Sequence, residues 1–221
     1  MRRSDRVATA HGEVALVALA DPDDDARLHA DERAHATTLS AHRRREWIAG
    51  RTALRLLLGD VPPILADDRG APRIPAGRVA SVSHKDGHAA ALVAADTGAR
   101  IGVDLERAAP SRLDIAPRIL TARELATLPD HQAPRAGAGH RGRAVTLRFA
   151  IKEAIYKAVD PFVRRYVGFT EVELDVRDDG SVGVTSALPL VIEATWREVE
   201  GFWLATARAT GSDPTFTTIV A

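Results

Sequence analysis

The 221-residue sequence predicts an α+β fold, and three observations lead there. Residues 79–106 read as three consecutive antiparallel strands joined by the turns Lys85-Asp86-Gly87 and Asp96-Thr97-Gly98, and Asp-Gly between strand-like runs is a strong hairpin signal. Two stretches, residues 30–58 and LRFAIKEAIYKAV at 147–159, carry apolar residues at helical spacing. The second half then repeats the helix-then-strands order of the first, without a residue-level repeat.

In chain order, Glu13–Ala20 (EVALVALA) is expected to be a buried strand that ends at Asp21-Pro22-Asp23. In the 30–58 helix, Trp47, Leu54 and Leu58 form the apolar stripe, and Gly59 is the C-terminal stop. Arg44, Arg51 and Arg55 fall at offsets of seven and four, so they share one face. Gly and Pro make 67–75 (DDRGAPRIP) a loop. After a linker at 107–118, Thr121–Leu128 reads as a short helix with Thr121 as N-cap and Glu124 closing a capping box. Asp130–Arg143 has the Gly, Pro and Arg content of a mobile loop. The 147–159 helix is expected to close at Asp160-Pro161. Strands follow at Phe169–Val176, Val182–Thr185 and Gly201–Ala209.

Composition excludes several function classes. Thirty basic and thirty acidic residues give a net charge of +0, so no global field favours nucleic acid or a membrane surface. The absence of cysteine removes disulfides, zinc thiolates and cysteine nucleophiles. No run approaches the ~20 apolar residues that cross a bilayer. The N-terminus lacks a signal-peptide core, so a cytoplasmic location is expected. Only three of the thirty basic residues are lysine: Lys85, Lys152 and Lys157. These three positions raise the question of what an arginine could not do there, since an ammonium is a compact point charge and a guanidinium a planar fork.

The candidate chemistry is carried by short patterns. In Ile101-Gly102-Val103-Asp104-Leu105-Glu106 the apolar and acidic residues alternate, which sets two carboxylates on one strand face roughly 7 Å apart. Taken alone this is a solvated acidic face, but a divalent cation would relieve the repulsion. On the 147–159 helix, Ile151, Ala154, Ile155, Ala158 and Val159 form the buried stripe, leaving Glu153 and Lys157 together on another face. Taken alone this is an ordinary i,i+4 surface pair. Ser83 and His84 sit where a strand meets a turn, and an anion contact is the functional reading of the histidine. Lys85, in that turn, is expected to be dispensable. Neither usual Gly-rich nucleotide cradle is present, so phosphate would be held by side chains and a metal.

The order Ser83-His84, then Gly102-Val103-Asp104-Leu105-Glu106, then Phe149-Ala150-Ile151-Lys152-Glu153-Ala154-Ile155-Tyr156-Lys157-Ala158 resembles the 4′-phosphopantetheinyl transferases, of the monomeric type that activates surfactin and enterobactin synthetases. The resemblance implies two similar α+β halves related by a pseudo-twofold axis, 1–106 and 107–221, with the active site in the cleft between them. It implies transfer of the phosphopantetheine arm of coenzyme A to a serine of an apo acyl or peptidyl carrier protein, with adenosine 3′,5′-bisphosphate released. Asp104, Glu106 and Glu153 would hold magnesium, or manganese in its place. Glu153 is the implied base, Lys157 the cation on the pyrophosphate, and Lys152 a further charge near the reacting group. Ser83, His84, Arg51, Arg44 and Pro72 would contact coenzyme A. The family loop often reads Gly-Lys-Pro where this chain has Gly70-Ala71-Pro72, and Arg73 is a candidate replacement for the missing lysine. The carrier would present an acidic helix, met by the arginine-rich 130–143 loop, and its pathway, siderophore or polyketide, stays open. The alternatives are a magnesium-dependent nucleotide pyrophosphohydrolase, since the same groups would serve water, and a noncatalytic coenzyme A- or carrier-binding relative.

Overall fold

A computed structural model describes residues 4–18, 22–128 and 138–212. The chain opens with strands β1 (Ser4–Thr9) and β2 (Gly12–Ala18), then helices α1 (Ala30–Thr37) and α2 (Ala41–Leu58). The stretch expected to be one helix from 30 to 58 is therefore two. Thr37 and Thr38 bond back to the Ala34 and His35 carbonyls at the end of α1, and Ser40 stands at the N-cap of α2. Gly59 stops α2 as expected, with φ 75° and its N–H on the Arg55 carbonyl.

Strands β3 (Arg78–Lys85), β4 (His88–Ala95) and β5 (Arg100–Arg107) follow. The β3–β4 hairpin forms as expected, with Asp86 and Gly87 at φ 43° and 82°. The expected three-stranded meander does not, because β5 leaves β4 and joins a second sheet. Beyond it come the short helices α3 (Ala116–Ile119) and α4 (Ala122–Ala126), the long helix α5 (Ala138–Val163), and strands β6 (Val172–Val176), β7 (Ser181–Ser186), β8 (Leu190–Val199) and β9 (Phe202–Gly211). One sheet has the order β1-β2-β4-β3 and the other β5-β9-β8-β7-β6, with neighbouring strands antiparallel. Strand β5 pairs along its length with β9, Asp104 opposite Ala205. The GVDLE strand, assigned by sequence to the first half, thus belongs to the second sheet.

Two other expectations are corrected around α5. Residues 138–143, read as part of a loop, are helical, while 129–137 lie outside the described residues. Pro161 does not end the helix: it sits in the last turn, and the chain leaves at Arg164, whose φ is 47° and whose N–H reaches the Asp160 carbonyl.

The layers run α2, first sheet, second sheet, α5. Ala49, Ala53 and Leu54 of α2 pack on Ala15, Val17, Ala89 and Ala91 of the first sheet. The other face of that sheet, with Val14, Leu16 and Leu92, packs on Ile101, Val103, Leu105, Phe202 and Leu204 of the second. Burial on both faces explains why β2 and β4 are continuous apolar runs rather than alternating ones. On the far side, Trp203, Ala205 and Ala207 meet Ile151, Ala154, Ile155 and Ala158 of α5. Among the described residues no helix is long and apolar enough to cross a membrane.

Gly102 fixes how close β5 lies to α5. A Cβ there would fall far inside van der Waals contact with the Ala154 carbonyl oxygen and crowd the Ala158 nitrogen. Small residues at 150, 154 and 158 complete the groove on the helix side. Gly102→Ala is therefore expected to destabilise the protein by at least ~1–3 kcal/mol in urea unfolding. Gly139→Ala, at a helix position where an added Cβ meets nothing, is expected to cause no loss.

Candidate active site

The alternation along β5 divides its side chains as expected. Val103 and Leu105 enter the core between the sheets, while Asp104 and Glu106 face the other way, toward α5 and the β3–β4 turn. Because Gly102 lets the strand lie on the helix, Lys157 reaches across from α5. Its Nζ donates to Asp104 Oδ1 at 2.7 Å and to the Val103 carbonyl at 2.9 Å. Ser83 Oγ donates to the same Asp104 oxygen at 2.7 Å. Asp104 Oδ2 is buried without a hydrogen-bond partner. A buried carboxylate oxygen in that state is costly unless a ligand satisfies it.

Glu153, one turn before Lys157 on α5, is half-buried. Its pKa is raised, first by burial and then by the negative charge of Asp104, with Lys157 opposing and Glu106 adding to the rise. Glu106 is raised mainly by burial too, with Asp104 adding to the rise, but Lys85 counteracts it. Lys85 Nζ lies 2.7 Å from Glu106 Oε2, so the turn lysine expected to be dispensable holds one of the three candidate metal ligands. In this arrangement, with Asp104 and Glu106 each on an ammonium, the described residues form no ready-made cluster of three carboxylates or imidazoles.

His84 Nδ1 faces Glu46 Oε1 at 3.1 Å, and burial holds its pKa below the ordinary histidine value despite that carboxylate. Arg43 and Lys157 also depress it. The three arginines of α2 differ in depth. Arg44 is exposed, 4.0 Å from Asp25. Arg55 is committed to the buried Glu32. Arg51 is 4% exposed, with its guanidinium over the Trp47 ring and Nε on the Ile64 carbonyl, and burial lowers its pKa to about 10. Arg51 is thus a structural support of the first half rather than an open phosphate contact. Pro72 lines a cleft of about 610 Å³ with Arg69, Arg78, Glu153, Tyr156 and Lys157. Arg69, not Arg73, borders that cleft, and its Nε donates to Asp160 Oδ2 at 2.7 Å on α5.

Lys152 is the clear correction. It points away from the carboxylates into the protein, 3% exposed, where Nζ donates to Glu124 Oε2, Ile119 O and Phe169 O at 2.7, 2.8 and 2.9 Å. Three acceptors around one nitrogen match a tetrahedral ammonium and not a planar guanidinium. Glu124 in turn closes the expected capping box with Thr121. All three lysines of the chain therefore pair with a carboxylate at 2.7 Å. The residues that sequence reasoning passed over are Ser81, Glu46 and Asp160, each a polar group whose partner is remote in sequence. Ser81 Oγ accepts the Val103 N–H at 3.1 Å across the gap between β3 and β5.

Residues 31–94 match the family model of the 4′-phosphopantetheinyl transferase N-terminal domain, and residues 100–207 match that of the 4′-phosphopantetheinyl transferase superfamily. The chain belongs to this superfamily. The two matches meet between β4 and β5, where the chain passes from one sheet to the other. This transferase is 34% identical over 164 residues to the 4′-phosphopantetheinyl transferase Npt of Nocardia iowensis, covering 72% of this chain and 71% of that one. It is 31% identical over 196 residues to Svp of Streptomyces mobaraensis, covering 83% and 77%. Among solved structures, a holo-(acyl-carrier-protein) synthase from Bacillus anthracis in complex with coenzyme A (3′,5′-ADP) superposes at a TM-score of 0.39 and 23% identity, over 51% of this chain and 96% of that one.

Two outcomes follow for the transferase. Lys152→Met leaves Glu124 buried and uncompensated, so stability in urea should fall by about 3–5 kcal/mol, while kcat/KM of the folded fraction stays within about threefold of wild type. With Glu153 read as the base, its raised pKa is expected to set the acid limb of kcat/KM above the ordinary glutamate range. Since the Lys157 charge favours the carboxylate, Lys157→Ala should move that limb to higher pH still, measured as the pH profile of the residual rate.

Proposed function

We propose that this phosphopantetheinyl transferase moves the phosphopantetheine arm of coenzyme A to a serine of an apo acyl or peptidyl carrier protein. The observation that carries the reading is the convergence of Glu153 and Lys157 of α5 on Asp104 of β5, a base and a cation beside an unsatisfied carboxylate oxygen. In the transfer, Glu153 takes the proton of the serine hydroxyl. The serine oxygen bonds to the β-phosphorus, the bond from that phosphorus to the bridging oxygen breaks, and adenosine 3′,5′-bisphosphate leaves with the electron pair. Lys157, fixed by the Val103 carbonyl, stands ready to offset charge on the diphosphate.

The donor set suits a hard divalent cation: carboxylate oxygens only, one of them buried and unpartnered, with the pKa of Glu153 and of Glu106 raised by burial and further by the charge of Asp104. Asp104, Glu106 and Glu153 would hold magnesium or manganese, which supplies charge neutralisation at the diphosphate when bound. The cleft with Arg69, Arg78, Arg100 and Pro72 offers guanidinium groups to the nucleotide end, and His84 is assigned as an anion contact. Ser83 acts by orienting Asp104. A second cleft, of about 830 Å³, begins at Glu106 and is lined by Leu113, Ile115, Phe149, Tyr166 and Phe169. Its apolar walls suit the pantetheine arm. Exposed Leu113 and Tyr166 at its mouth, beside Arg112 and Arg118, suit an acidic carrier. We assign the protein to the monomeric, surfactin-synthetase-activating type on its motif order and the pairing of two family models in one chain.

The test is a mass-shift assay on a panel of apo carriers with coenzyme A and magnesium. One phosphopantetheine is expected on a single serine, and coenzyme A hydrolysis without a carrier would overturn the reading in favour of a hydrolase. Glu153→Gln should lower transfer by at least ~10²-fold with an unchanged unfolding midpoint. Near-normal transfer by this variant would sink the assignment of the base.

A further inference from the structure

The tip of the β3–β4 hairpin and the end of β5 are joined by two reciprocal ion pairs. Lys85 of the hairpin holds Glu106 at 2.7 Å, and Arg107 of β5 holds Asp86 of the hairpin, Nε to Oδ2, at 3.1 Å. Consecutive residues on each side thus exchange opposite charges. The turn between Lys85 and His88 is a tight one, with Asp86 and Gly87 both at positive φ, so the base of the Lys85 side chain is held in place. The Glu106 side chain is only 15% exposed, and Asp104 and Asp86 add negative charge around it. Lys85 is its ammonium partner, as Lys157 is that of Asp104.

The two ammonium groups are not equivalent. Lys157 keeps a backbone carbonyl to hold when its carboxylate turns elsewhere. Lys85 is 37% exposed on the rim of the larger cleft, so it can swing into solvent when displaced. An ammonium and a divalent cation seek the same carboxylate oxygens and repel one another at contact distance.

From this geometry we infer that Lys85 is a positioning residue: a tethered counter-ion that keeps the Glu106 carboxylate oriented and competes with the divalent cation for it, and so sets the metal concentration the enzyme needs. The inference rests on the proposed metal reading of Asp104, Glu106 and Glu153. It gives the turn lysine a role in tuning the enzyme, since the ion pair satisfies Glu106 before cargo arrives and yields once metal binds.

The experiment is Mn²⁺ titration followed by the loss of the free-ion electron paramagnetic resonance signal, on the full chain with saturating coenzyme A and no carrier. Lys85→Gln is expected to tighten Mn²⁺ binding on the order of 3–10-fold. Lys85→Arg, which keeps the charge, should stay near wild type. Arg107→Gln, which removes an equal charge from Asp86 without touching Glu106, should also stay near wild type. Unchanged or weaker binding by Lys85→Gln, or equal tightening by Arg107→Gln, would overturn the inference while leaving the metal reading intact. A wild-type protein that transfers phosphopantetheine yet binds no Mn²⁺ would overturn both. Unfolding midpoints of each variant confirm that the comparison is between folded proteins.

Discussion

The contact between the backbone of Gly102 and the Ala154–Ala158 stretch of α5 is the constraint on which the rest of the site depends. Only a residue without a side chain lets a strand lie against a helix backbone at that distance. Given that approach, a lysine three residues beyond Ala154 has the reach to cover the Val103 carbonyl and the Asp104 carboxylate. Every other group is then placed relative to this strand. Ser83 orients Asp104 from one side, Lys85 holds Glu106 from the other, and Glu153 sits one helical turn away. The chemistry is therefore a property of a strand–helix seam rather than of a loop.

A chain with no net charge still concentrates charge locally. Its three lysines each pair with a carboxylate, and the two on α5 point to different surroundings within five residues. Lys152 is spent on the interior, where it satisfies Glu124 and two carbonyls and fixes α3, α4 and the start of the β6 region against α5. Such a buried pair contributes little net stability and a large penalty when broken. Lys157 is less deeply buried and borders a cleft, which keeps its charge available.

Much of this was legible in the sequence, for reasons that are local. The alternation in 101–106 assigned Asp104 and Glu106 to one face, the stripe of Ile151, Ala154, Ile155 and Ala158 exposed Glu153 with Lys157, and Thr121 with Glu124 announced a capping box. What was not legible depends on partners far along the chain. β5 pairs with β9, about a hundred residues later, and no turn signal encodes that. The direction of Lys152 is decided by α4 folding over it, not by its own helix position. The edge strand β1 carries too weak an alternation to stand out, and Pro161 is tolerated because a left-handed Arg164 finishes the helix after it.

The join between the two sheets has a mechanical character of its own. A backbone ladder is quantised: strands slip by whole residues, and a slip of one reverses every side chain. Where β3 meets β5 the polar contacts are made by side chains: the Lys85–Glu106 ion pair at one end and, before it, the hydroxyls of Ser81 and Ser83, reaching a backbone N–H and a carboxylate. A hydroxyl on a rotatable arm follows its partner through fractions of an ångström without breaking step. The two sheets are thus coupled by a compliant joint along the line where Asp104 stands, and each can shift slightly while Asp104 stays in register with Lys157.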